Sequence, residues 1–225
     1  MTALVIATQN AKCLPVLAAS VTFYVPLEVE VYLSGSDMLF PRHRTLNSLN
    51  EATNFGDAYN AVVSQAFERH NDIIVCNDDI VFTPYTFSTL MEDVATLAHR
   101  KLGWVACRSD YARGAQNVRY RHDGDGFAMK HASESHIVRT PVIAPIAAYI
   151  QKPAWVDFPP INWFSDDIQC HDMSQQGYEH YISRAYIHHV GSQTCGMDYD
   201  KCIEDAKPWV LENRPEFSQW FKKDS

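Results

Sequence analysis

The sequence predicts an α/β protein with a Rossmann-like, mostly parallel central sheet flanked by helices. Three observations carry that reading. Short apolar runs alternate with segments of helical period, the order expected of parallel strands joined by crossover helices. Asp72-Ile73-Ile74-Val75-Cys76 is apolar almost without interruption, as a central strand covered on both faces must be. That run stops abruptly in Asn77-Asp78-Asp79, placing carboxylates beyond a strand end, where such sheets bind ligands. The 225 residues are 46% hydrophobic and 20% charged, an ordinary globular composition in a chain large enough to close a core without disulfide or metal staples. We find no linker and no internal repeat, and read one domain over residues 1–225.

The elements follow in order. Residues 4–7 form an apolar strand that Thr8-Gln9-Asn10 ends, and residues 11–20 read as a helix with Leu14, Leu17 and Ala18 inward. Residues 29–33 are β-branched and alternating, a second strand stopped by Ser34-Gly35-Ser36-Asp37. Residues 54–70 carry Phe55, Ala58, Tyr59, Val62, Val63, Ala66 and Phe67 at helical period, with Asn54 as the cap. The central strand at 72–76 and its continuation at 80–82 precede Pro84, a helix over 85–101 and a strand over 103–107. Residues 108–140 are polar and rich in Arg and His, and loops of this length are usually functional. Part of this segment is expected to close over a ligand. Its Asp123-Gly124-Asp125-Gly126 run is not a calcium loop, because Phe127 stands at a ligand position and Ala128 where the sharp turn needs Gly. A late strand over 142–150, an aromatic segment over 155–164, a helix over 166–177 capped by Ser165 and ended by Gly177, and a last strand over 180–189 follow. An amphipathic helix over 208–223 presents Trp209, Phe217, Trp220 and Phe221.

Charge and cysteine usage exclude several classes. Lys and Arg total 19 and Asp and Glu 27, a net charge of −8, and an acidic chain is a poor nucleic-acid binder. It can hold a phosphorylated ligand if a metal supplies local positive charge. Basic residues cluster at Arg42–Arg44, equally a phosphate contact or a solvated loop, and again over 108–121. Cys13, Cys76, Cys107, Cys170, Cys195 and Cys202 form no C-x-x-C pair, which excludes a zinc ribbon. The first residues lack a basic n-region, and no apolar stretch approaches the ~20 residues of a spanning helix. A cytoplasmic protein without an integral membrane segment is expected.

Three clusters carry chemistry. Asp78 and Asp79 repel each other and lose solvation beside a buried strand, so a cation between them, or an open turn facing water, makes them stable. Their hard oxygens suit Mg²⁺ or Mn²⁺. Asp166 and Asp167 follow Trp163-Phe164-Ser165 at a helix start. They serve either the positive end of the helix dipole or a general base beside an aromatic platform. His188-His189-Val190-Gly191-Ser192 follows the last strand, and adjacent histidines on a strand point to opposite faces, so one of the two can be a ligand.

In their order these clusters resemble the family 2 type glycosyltransferases of the GT-A fold, above all the rhamnosyltransferase-like and galactosyltransferase-like branches. Asn54-Phe55-Gly56 with Asn60 is similar to the N-x-G-x-x-x-N helix start, and Asn77-Asp78-Asp79 with Pro84 to the D-x-D turn. Phe164-Ser165-Asp166-Asp167 with Gly177-Tyr178 is similar to the E-D helix, and His189-Val190-Gly191-Ser192 to the H-x-G-S element. Phe217 and Trp220 resemble a closing aromatic-x-x-K-W element, with Gln219 in the Lys position. The resemblance spans roughly residues 4 to 221.

It implies a minimal catalytic core, with a nucleotide-binding half over about 1–107 and an acceptor and catalytic half over about 108–225. Mn²⁺ or Mg²⁺ is held by Asp79 and His189. The donor, a UDP-sugar first, is held by Thr8, Asn10, Ser34, Asp37, Asn60 and Asp78. The family's usual acidic pair at the second strand is replaced by Leu33-Ser34, leaving Ser34 or Asp37 to read the base. Asp167 is the catalytic base, with Asp166 beside it. The implied reaction is inverting, metal-dependent transfer of a hexose to a glycan or other hydroxyl acceptor. A nucleotidyltransferase is the nearest rival, but residues 8–17 lack a Gly-rich phosphate loop. An inactive sugar-nucleotide-binding module is the other.

Overall fold

A computed structural model of the chain describes residues 2–49, 51–121, 127–129, 136–191 and 198–221. The elements are β1 (Thr2–Ala7), α1 (Leu14–Tyr24), β2 (Glu30–Ser34), β3 (Thr45–Ser48), α2 (Phe55–Phe67), β4 (Asp72–Cys76), β5 (Ile80–Phe82), α3 (Thr86–Thr96) and β6 (Leu102–Ser109). Then come β7 (Arg119–Arg121), β8 (Phe127–Met129), β9 (Val138–Thr140), β10 (Ala147–Gln151), α4 (Ser165–Gln175), β11 (Glu179–His189) and α5 (Tyr199–Asn213).

The main sheet runs β3-β2-β1-β4-β10-β6-β11-β5, with β9 added beside β11. Its first half, β3 to β4, is parallel throughout. The second half is mixed: β10 is antiparallel to both neighbours, and β11 is parallel to β6 but antiparallel to β5 and β9. The mostly parallel expectation therefore holds for the first half of the sheet and, in the second, for the β6–β11 pair. The cause is the excursion after β6. It runs beside β11 to Thr140, opposite His180, and returns to the carboxyl end at Ile146, whose carbonyl accepts the Asn77 N–H at 3.0 Å, so the chain re-enters with Ala147 opposite Cys76 and leaves with Gln151 opposite Asp72.

Alternation along the strands divides the core into two layers. Leu4 and Ile6 face α1 and α3 through Leu14, Leu17, Val21, Leu90 and Val94. Ala3 and Val5 face α2 and α4 through Val62, Ala66, Cys170 and Met173. A third cluster joins Ile168 of α4 to Ala206 and Val210 of α5 and to Phe217.

Two boundaries differ from expectation for local reasons. The late strand begins at Ala147 rather than 142, because the backbone of Ala144 is taken by the Gln116 side chain at both N–H and C=O and Pro145 cannot donate. The terminal helix begins at Tyr199, where Asp198 caps the Lys201 N–H at 3.0 Å, and keeps Pro208 inside it. It stops before Pro215, which disfavours helical geometry at Arg214 (φ −139°, ψ 59°). A 3₁₀ turn over Pro215–Phe221 completes the described chain.

Candidate functional site

The first carboxylates stand where the chain leaves β4. The Thr8 hydroxyl, at the end of neighbouring β1, donates a short hydrogen bond to Asp78 Oδ2. Asp78 is buried. Burial, against the pull of Thr8 and reinforced by the Asp79 charge, pushes its carboxyl up to about 6. Asp79 meets the last strand, because β11 pairs with β5 in a register that sets His189 opposite Ile80. Asp79 Oδ1 lies 3.0 Å from His189 Nε2. Its Oδ2 accepts the Gly191 N–H at 3.1 Å, and its carbonyl accepts that of Val190 at 3.0 Å. His188 points the other way, half-exposed, with Nδ1 2.5 Å from Asp110 Oδ2.

The imidazole of His189 is over-determined. Its Nδ1 faces the Tyr111 carbonyl at 2.6 Å, which can only accept, so Nδ1 carries a proton. Its Nε2 faces the Asp79 carboxylate, which when ionised also only accepts. With that carboxylate ionised, a second proton on the ring satisfies the contact, and a metal ion in its place would do the same. Burial pulls the His189 pKa down, but the hydrogen bond and charge of Asp79 outweigh it and the net shift is upward.

The donor set suits a divalent ion. Cis ligands at the ~2.1 Å bonds of an octahedral ion lie ~3 Å apart, which matches the 3.0 Å between Asp79 Oδ1 and His189 Nε2. The Tyr111 carbonyl behind the ring is the usual outer partner of a ligating histidine. Among the described residues no group of three His, Cys, Asp or Glu is gathered as a full cage. Such ions take one or two carboxylates and complete their shell with water and substrate phosphates.

The second pair opens α4. Ser165 is its first residue and not its cap. Phe164 holds the cap position with φ 67° and makes no side-chain capping bond. A non-Gly residue there costs about 1–2 kcal/mol, offset by packing: the Phe164 ring stacks on Trp220 at 4.7 Å, and Trp220 on Phe217 at 4.4 Å. Asp166 and Asp167 are bridged by one arginine. Arg113 Nη2 donates to Asp166 Oδ2 and Nη1 to Asp167 Oδ1, each at 2.6 Å. Burial raises the Asp166 carboxyl to about 6, with Arg113 pulling down and Asp167 pushing up. Burial works against the Arg113 charge too, but the two carboxylates more than compensate and raise its pKa.

Both clusters line one cavity of about 640 Å³ at the carboxyl end of the sheet, together with Gln9, Tyr59, Tyr111, Trp163 and Phe164. The structure thus brings together Asp78, Asp79, His189, Asp166 and Asp167. Thr8 lies buried beneath Asp78, and its N–H donates to the Ser34 carbonyl at 2.9 Å. Ser34 itself is buried and off the cavity wall. Asn10 and Asp37 are exposed and do not line the cavity. Asn60, expected at the donor, instead spends its amide on Phe158, donating to its carbonyl and accepting its N–H, both at 2.8 Å. The N-x-G-x-x-x-N pattern is accordingly architectural here: Asn54 caps α2, and a Cβ on Gly56 would fall 1.8 Å from the Pro159 carbonyl oxygen. Sequence reasoning missed Arg113, although the basic cluster over 108–121 contains it. Asp123–Gly126 and Ser192 lie outside the described residues.

No protein-family model matches the chain, and no curated protein matches it. Solved structures do. S. aureus TarS (residues 1–349) aligns with TM-score 0.56 and 14% identity over 93% of this chain and 65% of its own. Mannosyltransferase PcManGT from Pyrobaculum calidifontis, in complex with GDP-Man and Mn²⁺, aligns with TM-score 0.64 and 12% identity over 97% and 67%. GalNAc-T7 with UDP, GalNAc and Mn²⁺ aligns with TM-score 0.64 and 13% identity over 99% and 51%. The chain spans between half and two thirds of the length of these proteins. It has their fold, the GT-A fold of glycosyltransferases.

Proposed function

We propose that the chain is a metal-dependent inverting hexosyltransferase that moves a sugar from a nucleoside diphosphate, a UDP-sugar first, to an acceptor hydroxyl. The observation that carries the reading is one cavity lined by two unlike clusters: Asp79 with His189, 3.0 Å apart, and Asp166 with Asp167. The ligands of similarly folded proteins, UDP-GlcNAc in TarS and GDP-Man with Mn²⁺ in the mannosyltransferase, support the donor class and the metal.

Asp79 and His189 would hold Mn²⁺ or Mg²⁺, which when bound supplies positive charge for the departing diphosphate. Thr8 fixes the Asp78 carboxylate toward the donor. Trp163 and Phe164 line the cavity as an apolar wall for the sugar and acceptor, lowering the local dielectric in which charge develops. The acceptor oxygen bonds to the anomeric carbon as the bond from that carbon to the diphosphate oxygen breaks. The electron pair leaves with the diphosphate, and the hydroxyl proton passes to Asp167. One displacement inverts the centre.

A thermal-shift panel of nucleoside diphosphates with and without Mn²⁺, followed by a diphosphate-release assay with the matching sugar nucleotide, tests the reading. Stabilisation by one nucleotide that requires the metal is the expected result. No metal-dependent stabilisation by any nucleoside diphosphate would refute it.

A further inference from the structure

The residue that the clusters do not explain is Arg113. It extends from the loop after β6, and its backbone is anchored: its carbonyl accepts the Gln116 N–H at 3.1 Å. The buried Gln116 amide ties in turn to the Cys107 carbonyl at 2.9 Å and to both backbone groups of Ala144 at 2.9 and 3.0 Å. The guanidinium does not fork onto one carboxylate, the usual bidentate arrangement. It gives one nitrogen to each of two neighbouring aspartates.

We propose that Arg113 is the positioning residue of this pair: it holds Asp166 and Asp167 ionised and aimed into the cavity, with Asp166 as its lasting anchor and Asp167 as the member that an incoming hydroxyl takes over. Three features separate the roles. Asp166 is engaged at both oxygens, by Arg113 at Oδ2 and by the Asp167 N–H at Oδ1, 3.1 Å away. Asp167 is the more exposed, with 22% of its side chain accessible against 15% for Asp166. Losing the Nη1 contact to Asp167 leaves Nη2 on Asp166, so the base is released while the arginine stays in place.

The charge balance demands such a residue. Asp166, Asp167 and Arg113 face one another, with the Cys170 thiol nearby kept neutral by burial. Elsewhere on α4, Arg214 is spent on Asp172 at 2.7 and 2.8 Å, and His171 packs against Phe217. Among the described residues, the other charged groups lining the cavity are Asp78, Asp79 and His189. Two adjacent, largely buried carboxylates without a counter-charge would share a proton near neutrality, and a shared proton leaves no competent base. The hydroxyl in this proposal rests on the glycosyl-transfer reading, while the hold on the carboxylates does not.

The test therefore begins without turnover. Carboxyl ¹³C resonances of aspartate are titrated in the whole protein, in Arg113→Gln and in Arg113→Lys, with Asp166→Asn and Asp167→Asn for assignment. The expected result is a rise of about one pH unit or more in the midpoint of the pair in Arg113→Gln, a tenfold change in proton affinity. Arg113→Lys, which keeps one charge but reaches one carboxylate, should rise less, and it carries the test if the glutamine variant does not fold. Unchanged midpoints in the folded variants overturn the proposal. Transfer is then measured from pH 6 to 8: Arg113→Gln should lose more rate at pH 6 than at pH 8, with nucleoside diphosphate affinity within about twofold of the parent. An equal loss at every pH would mark a merely structural role and also overturn it. If the parent chain transfers no sugar from any donor while the midpoints shift as expected, the functional reading fails and the role of Arg113 in holding the pair stands.

Discussion

Replacing Asp167 with Asn separates catalysis from helix chemistry, because the change is nearly isosteric and its two explanations differ by orders of magnitude. If Asp167 serves only the dipole of α4, the loss is about 0.3–1 kcal/mol of stability. To that is added part of one charge-assisted hydrogen bond to Arg113, about 1.5–3 kcal/mol when buried and less here, because the Arg113 side chain is 38% exposed and solvent screens it. Asn keeps an oxygen for Arg113, so stability should fall by about 1–2 kcal/mol in total and transfer should be nearly intact. If Asp167 takes the acceptor proton, loss of the base removes about 10²–10⁴ in rate, or about 2.7–5.4 kcal/mol of barrier. Nucleoside diphosphate binding should then be unchanged, since the proposed cation ligands are Asp79 and His189, 3.0 Å apart, and not Asp167. Thermal melting, donor affinity and sugar transfer on this one variant decide the matter. Transfer within about threefold of the parent, outside the range of general-base loss, would refute the assignment.

Three further outcomes follow from the geometry. His189→Gln should abolish Mn²⁺-dependent stabilisation by nucleoside diphosphate while the apo protein still melts cooperatively, read by thermal shift; retained metal dependence would remove His189 from the site. Asp78→Asn should stabilise the apo protein at neutral pH and weaken donor binding. The Asp78 pKa is raised to about 6 from 3.8, so its contribution to stability is fully present below about 4 and is lost as pH rises through about 6; melting curves at pH 4 and pH 8 should show the variant's gain only at the higher pH. Gly56→Ala should destabilise by roughly 1–3 kcal/mol or more, because the added carbon would fall 1.8 Å from the Pro159 oxygen; denaturant melts showing no change would mean that the 158–159 segment yields freely.

Parts of the fold were legible because burial leaves a periodic trace. Residues 72–76 read as a doubly covered strand and are one, with Ile73, Ile74, Val75 and Cys76 fully buried. Asn54 read as a cap and accepts the Asp57 N–H at 2.8 Å. What was not legible depended on partners far along the chain. β3 is short and half-exposed, Thr45–Ser48, and takes its strand form from β2 rather than from its own pattern. The direction of β10 is set by where the excursion after β6 ends, which no local period records. The start of α5 at Tyr199 was hidden by Pro208, which reads as a first-turn residue but lies inside the helix.

The site divides along the same line. Asp78, Asp79, Asp166 and Asp167 announced themselves because each pair sits at a strand or helix end, where adjacent carboxylates need a reason. The meeting of Asp79 with His189 was implied by the family resemblance and not by any local pattern, since it comes from one register: β11 pairs with β5 and brings His189 to Asp79. Asn60 misled for a complementary reason. Its side chain fits a donor contact and an architectural clamp equally well, and only Phe158, 98 residues away, tells them apart. Arg113 marks the limit of motif reasoning. A basic residue in a polar segment carries no periodic or spacing signal, and its role exists only once α4 has folded against the loop after β6. A search for what keeps two half-buried neighbouring carboxylates charged would have found it, because charge withdrawn from water requires a partner whether or not a motif names one.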